Sequence, residues 1–346
     1  MRDVNRRNVL RATTASMAGL ALVGTVPTVS ADQHEPPAAD EVTVENENVK
    51  YIEANPDAGF QYPYFLYTPP SLTTSEESPR PILIGPNNSP SSDDDYTTHL
   101  ERGKSLAARQ RPHQVAERVG IPLLVPVFPR YREEPEPWYV YVQVLDPDTF
   151  TLEDSPLSRL DSQLLEMVED AKSRLEADGH TIASEIHIDG FSGSGTFANR
   201  FTVLHPERVN AASHGGTTAK TLPKTKIDDD IPVVGDPKWD EMSYPVGTDE
   251  EELPYPIGVA NLEVLTGNSF NEEAWLNTPQ YIYIGDEDRP EPGSRGHRSF
   301  SNLYDEEAQQ IRPSERSYAM PDLIDDIYGV KNIDERWKVS RAVYEN

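Results

Sequence analysis

The stretch Glu185–Gly195, EIHIDGFSGSG, decides how this chain reads. Ile186, His187, Ile188 and Asp189 form a short apolar strand that stops abruptly in a turn of glycine and serine. A helical pattern follows at once. A strand, a sharp turn and a helix with Ser192 at the apex is the arrangement that lifts a serine hydroxyl out as a nucleophile. The turn strains the serine backbone, so its neighbours two residues away must be small. Those positions hold Gly190 and Ser194, and Gly195 comes one residue after the second of them. The commonest form of the turn has glycine at both positions. Ser194 is the rival nucleophile, flanked by Ser192 and Thr196 and set deeper in the helix. A plain glycine-rich strand-to-helix loop is the bland alternative.

Charge bounds the rest. The chain has 346 residues, with 59 acidic against 31 basic and a formal net charge of −28. Only 9 of the basic residues are lysine. The carboxylates are scattered in short clusters, such as Asp93–Asp95, Asp228–Asp230 and Asp249–Glu252. A diffuse acidic surface with few lysines suits a protein kept soluble in molar salt, which screens the repulsion. No basic patch exists, so nucleic acid is not an expected partner. There is no cysteine, which excludes disulfides, thiolate chemistry and cysteine metal sites. No two histidines stand at i, i+4, so no metal is expected. No cofactor is needed either.

Residues 1–31 read as a targeting segment. Arg6-Arg7 precede Val9-Leu10, an uncharged stretch runs from Ala12 to Val29, and Val29-Ser30-Ala31 offers small residues for cleavage. This pattern predicts a twin-arginine export signal and hence a secreted protein. Thr, Ser, Gly and Pro27 interrupt its apolar part, so no stable membrane span is expected. Residues 32–48 are acidic, contain Pro36-Pro37, and read as a linker.

Residues 49–346 then alternate strands and helices. Tyr51 to Pro69 predicts two strands, and Pro81–Gly85 and Ile121–Phe128 predict buried ones. A polar helical region spans about Asp95–Val119, with Gly120 as its C-terminal cap. Trp138, Tyr139 and Tyr141 either line a pocket or pack under a loop. Ser155-Pro156 reads as a helix start, and Leu157, Leu160, Leu164, Val168, Ala171 and Leu175 mark one apolar face ending at Gly179. After the Ser192 turn come a helix stopped by Pro206 and a strand over Val209–Ala212 leading to Ser213-His214-Gly215-Gly216. Residues 217–278 break the rhythm and read as a cap insertion. Gln280–Ile284 is a further strand, closed by Gly285-Asp286-Glu287-Asp288. The alternation implies an α/β fold: a mostly parallel sheet with helices on both faces.

Five segments carry a resemblance: ILIGPNN (82–88), GFSGSGTFANRFTVLHPERV (190–209), LPYPIGVANLEVLTG (253–267), YIYIGDED (281–288) and ERWKVSRAVYEN (335–346). From Phe60 onward the chain resembles secreted haloarchaeal α/β-hydrolases, related to esterase, dienelactone-hydrolase and polyhydroxybutyrate-depolymerase-like proteins. The resemblance implies the α/β-hydrolase fold with a cap insertion. It also implies Ser192 as nucleophile, Gly193 N–H as an oxyanion donor and Asp288 as the acid. On this fold the loop after the Pro81–Gly85 strand lends a second oxyanion N–H, from Asn88 or from Asn87.

A serine hydroxyl needs a histidine base, and the histidine needs a carboxylate to hold its tautomer. The chain order on this fold is serine, acid, histidine. Asp288 lies where the acid belongs, with Asp286 as the alternative. His297 follows Asp288 by nine residues, in EPGSRGHRSF, and is the only histidine after it. His214 lies at the right edge of the sheet but in the wrong chain order. The fold places the base after one more strand, whereas Ile333–Tyr344 reads as a helix. That leads to the expectation of a histidine beyond Asn346 and of a final strand missing from this chain. The sequence thus predicts an exported serine hydrolase of a small-molecule or polymeric ester. A peptidase of the same fold and a non-catalytic binding protein are the alternatives.

Overall fold

The computed structural model describes residues 36–87, 93–131, 144–217, 220–225, 255–256, 258–284 and 344. Seven strands form one sheet: β1 (Val49–Ile52), β2 (Tyr64–Tyr67), β3 (Leu83–Ile84), β4 (Leu123–Pro126), β5 (Ile186–Phe191), β6 (Val209–Gly215) and β7 (Gln280–Tyr283). Their order across the sheet is β1-β2-β4-β3-β5-β6-β7. β2 runs antiparallel to both its neighbours, and every other pairing is parallel. This is the α/β-hydrolase arrangement that the sequence predicts.

The central strands are apolar because both faces are covered. Every residue of β2 and β4 is buried. β3 is shorter than its PILIG run, but the ladder continues past it: Leu83 N–H donates to Pro122 O at 2.8 Å and Gly85 N–H to Leu124 O at 3.0 Å. Consecutive residues of β5 reach opposite faces, as the pleat requires. Asp189 meets Arg111 of α2 (Arg111–Val119), whereas a Cβ on Gly190 would run into α4 (Gly193–Leu204).

The polar region before Gly120 is two helices. α1 (Tyr96–Ala108) is capped by Asp95, whose carboxylate accepts from Thr97 N–H at 2.9 Å. The chain turns at Arg109-Gln110, and Pro112 sits in the first turn of α2, where its missing N–H costs nothing. Gly120 caps α2 at φ 73.

Ser155 does not start the next helix. It closes a turn, accepting from Leu157 N–H at 3.2 Å through its hydroxyl and from Ser158 N–H at 3.0 Å through its carbonyl. α3 (Leu160–Ala177) begins five residues later. Its first amide, Leu160 N–H, is capped at 3.3 Å by Thr149 Oγ1, eleven residues back in the chain. The buried Asp161 fixes that start: it takes two 3.0 Å hydrogen bonds from Arg159 and lies 2.9 Å from His205 at the end of α4.

The described part of 217–278 holds α5 (Leu262–Thr266) and α6 (Glu272–Asn277). Tyr255, Val259, Leu262 and Trp275 form a small second core around Val203. Val203 lies about 16 Å along α4 from Ser192, at 1.5 Å per residue. The Tyr344 ring packs on Trp275, and its hydroxyl accepts from Asn199 and donates to Thr221 O. Among the described residues no helix is long and apolar enough to cross a membrane.

Candidate active site

β5 runs straight into α4 through one residue. Ser192 stands between them with φ 60 and ψ −125, a backbone conformation that a side chain rarely adopts. The surrounding bonds hold it there. Ser192 N–H donates to Gly215 O at 2.9 Å, and Ser192 C=O accepts from Thr196 N–H at 2.9 Å. Ser192 is exposed, and Gly193, the first residue of α4, is half-buried. The Gly193 N–H is one of the helix's first four amides, which have no partner in the turn before them. It points its partial positive charge out of the helix N-terminus.

Two glycines make the turn possible. A Cβ on Gly190 would lie 2.1 Å from Ser194 O, and one on Gly195 would lie 2.7 Å from Gly215 O. The steric demand after the serine therefore falls on Gly195. Ser194 fits its own position because its hydroxyl has work inside the turn. It accepts from Phe191 N–H at 2.9 Å and donates to Phe191 O at 2.9 Å, and the residue is buried.

The loop after β3 is clamped from within. Asn87 is buried and exchanges two hydrogen bonds with the backbone of Phe128: Nδ2 donates to its carbonyl at 2.8 Å, and Oδ1 accepts from its N–H at 3.2 Å. Asn88, Asp288 and His297, predicted as oxyanion donor, acid and base, lie outside the described residues, as does Asp286. His214 is placed inside β6, fully buried, with Nε2 3.1 Å from Gln280 Oε1. Burial, and then the charge of Lys220, push its imidazole down to about 3.

Lys220 had no place in the sequence reading. It is buried after β6, donates to Thr217 Oγ1, and burial lowers its ammonium to about 7. The methyl of Thr217 in turn faces the Gly195 backbone, 2.9 Å from where a Cβ would stand. A second unpredicted cluster lies on the α2 face. Arg111 donates to Asp189 Oδ1 at 3.0 Å and to the Tyr283 hydroxyl at 2.6 Å. Burial raises the Asp189 carboxyl, while Arg111 and Ser213 pull it back. Nothing local in the sequence marks the second cluster, whose members come from α2, β5, β6 and β7, and the neighbours Thr217 and Lys220 gain their place only where the loop meets Gly195 of α4. Among the described residues no group of three or more His, Asp or Glu could hold a metal ion.

No family model matches the chain, and no curated protein matches it. Among solved structures it is similar to poly(aspartic acid) hydrolase-1 from Sphingomonas sp. KT-1, at 15% identity over 83% of this chain and 82% of that one, TM-score 0.42. It is likewise similar to a poly(3-hydroxybutyrate) depolymerase from Bordetella parapertussis, at 15% identity over 86% and 76%, TM-score 0.44. A thermostable esterase matches at 17% identity over 70% and 56%, TM-score 0.35. The fold assignment stands on strand order and on the turn at Ser192.

Proposed function

We propose that this chain is an exported, salt-adapted serine hydrolase that cleaves an ester through an acyl-enzyme on Ser192. One observation carries the reading: the backbone of Ser192 at φ 60, ψ −125, between a parallel strand and a helix N-terminus. Holding a residue in such a conformation costs on the order of 1–3 kcal/mol. A loop that only connected β5 to α4 has no need of it. The strain brings the hydroxyl out beside the first amides of α4, where an oxyanion would form. Ser194 is the weaker candidate, because its hydroxyl already serves Phe191.

In this reading Ser192 Oγ attacks the ester carbonyl and hands its proton to His297, which Asp288 orients. The N–H groups of Gly193 and Asn88 hold the tetrahedral oxyanion. The alcohol leaves with the proton, and water, activated by the same histidine, releases the acid. Without a working base only a residual on the order of 10³ over water would remain, from oxyanion binding and positioning.

The test is fluorophosphonate labelling of the full chain in molar KCl, with the adduct mapped by mass spectrometry. A single adduct on Ser192, kept in Ser194→Ala and slowed by orders of magnitude in His297→Ala, is the expected result. An adduct on another residue, or none on a chain shown to be folded, overturns the proposal.

A further inference from the structure

Asn199, Thr221 and Tyr344 close a ring of three hydrogen bonds against α4. The chemistry fixes each direction. Thr221 O can only accept, so the Tyr344 hydroxyl donates to it, at 2.7 Å. The hydroxyl then accepts from Asn199 Nδ2 at 2.7 Å, and Asn199 Oδ1 is left to accept from Thr221 N–H at 2.9 Å. Asn199 and Thr221 are each 1% exposed, so neither can turn to water instead. In such a ring each bond polarises the next.

The ring stands at the far end of a ladder of contacts that begins at Ser192. α4 is one rail, and the chain from Gly215 to Thr221 is the other. At the first rung Ser192 N–H donates to Gly215 O. At the second the Thr217 methyl stands 2.9 Å from where a Cβ on Gly195 would be. At the third Thr221 N–H meets Asn199. Gly195 and Asn199 are four residues apart and so share a face of the helix. Lys220 links the second rung to the third by donating to Thr217 Oγ1. From Ser192 to Asn199 the helix rises about 10 Å, at 1.5 Å per residue. The chain from Gly215 to Thr221 could reach about 20 Å if extended. It therefore has slack, and its seat on α4 is set by the rungs and not by its length.

We infer that Tyr344 is a positioning residue for the nucleophile: through Asn199 and Thr221 it keeps the chain after β6 in register with α4, and so holds the Gly215 carbonyl that fixes Ser192 N–H. This role needs no contact with the substrate. Its effect on catalysis rests on the hydrolase reading above; its effect on the turn does not. In Tyr344→Phe the ring still packs on Trp275, but Asn199 Nδ2 and Thr221 O both lose the hydroxyl between them. The third rung loosens, and the slack is passed to Gly215.

Hydrogen–deuterium exchange is followed by mass spectrometry on the full chain in molar KCl, for the wild type, Tyr344→Phe and Tyr64→Phe. Tyr64→Phe is the control. It also removes one hydroxyl, which donates to Asp170 at 2.6 Å, but from β2, with β4 and β3 between it and β5. Exchange of the Ser192 and Thr196 amides is expected to be about tenfold faster in Tyr344→Phe, as for the loss of one buried hydrogen bond, and unchanged in Tyr64→Phe. Fluorophosphonate labelling of Tyr344→Phe should slow by a similar factor at saturating probe, with half-saturation unchanged and the adduct still on Ser192. Exchange equal to the wild type overturns the inference. So does exchange raised equally in both variants, which is a loss of stability only. Faster exchange with undiminished labelling overturns it too. Faster exchange in a protein whose wild type takes no label removes the hydrolase reading and leaves Tyr344 its hold on the turn.

Discussion

The hydroxyl of Ser194 lies 2.9 Å from both the amide nitrogen and the carbonyl oxygen of Phe191. One side chain thus ties the last residue of β5 to the first turn of α4, across the strained Ser192. Removing it should loosen the turn without destroying it. Ser194→Ala is expected to cost about 1–2 kcal/mol in denaturant unfolding. It should slow fluorophosphonate labelling while leaving the adduct on Ser192. Gly190→Ala is a different matter, because the added carbon would meet the Ser194 carbonyl at 2.1 Å. The clash is with backbone, so either the strand or the helix must move. Loss of about 3 kcal/mol or more is expected, with labelling abolished. A Gly190→Ala protein of wild-type stability would show that the turn is not built as described.

Two buried groups set how the fold responds to acid. Burial and the Lys220 charge hold His214 down to about 3, against about 6.5 when unfolded. The unfolded chain therefore takes up a proton that the folded one refuses, and stability falls as pH drops from about 6.5 towards 3. Burial raises the Asp161 carboxyl, but hydrogen bonds from His205 and Arg159 outweigh it and leave the group at about 2. Its contribution, on the order of 2–3 kcal/mol, is present above about pH 4 and lost between there and 2. In urea unfolding at fixed salt, the wild type, which by the same rule already loses stability from about pH 10.5 down to about 7 as the buried Lys220 refuses its proton, should go on weakening below about pH 6.5 and weaken faster below pH 4. His214→Gln keeps a side chain able to bond Gln280 and should flatten the curve between about pH 6.5 and 4. Parallel curves for the two proteins above pH 4 would contradict this account.

What was legible from the chain and what was not divide along a physical line. The sheet strands, the Ser192 turn and the Gly120 cap are written in neighbouring residues, through apolar runs and local backbone demands. The start of α3 is not. Ser155-Pro156 has the right local chemistry, yet Thr149 supplies the cap and Asp161 anchors the first turn through Arg159 and His205. The Gly215-Gly216 pair reads as an ordinary turn until Tyr283 and Phe191 are seen lying on it. Arg111 and Asp189 are 78 residues apart and belong to a helix and a strand on different passes of the chain. Such contacts depend on the finished topology, which no periodicity in the sequence encodes.

Arg111 should prove to be the tie between α2 and the edge of the described sheet. It joins Asp189 on β5 to Tyr283 on β7. Its guanidinium is half exposed, so its ion pair is discounted for solvent screening. Arg111→Met is expected to cost about 1–2 kcal/mol, mostly through the buried Asp189 carboxylate left without its partner. Arg111→Lys keeps the charge but lacks the fork needed to reach both groups, and should recover only part of the loss. Amide exchange in β7 should speed up in both variants. Unchanged exchange there would mean that Tyr283 is held by its ring contacts alone.

Asn87 offers the most direct way to probe the loop that carries Asn88. Its side chain satisfies both backbone groups of Phe128, a residue 1% exposed, so neither group has water to fall back on. Asn87→Ala strands a buried donor and a buried acceptor, and a loss of about 2–4 kcal/mol is expected. Asn87→Asp still accepts from Phe128 N–H but sets a buried carboxylate oxygen against its carbonyl, so it should cost at least as much as alanine. If the neighbouring N–H helps to hold the oxyanion, fluorophosphonate labelling of Ser192 should be slower in both variants than in the wild type. It should do so under conditions where all three proteins remain folded. A stability loss with no change in labelling rate would remove this loop from the oxyanion site and leave the first amides of α4 to act alone.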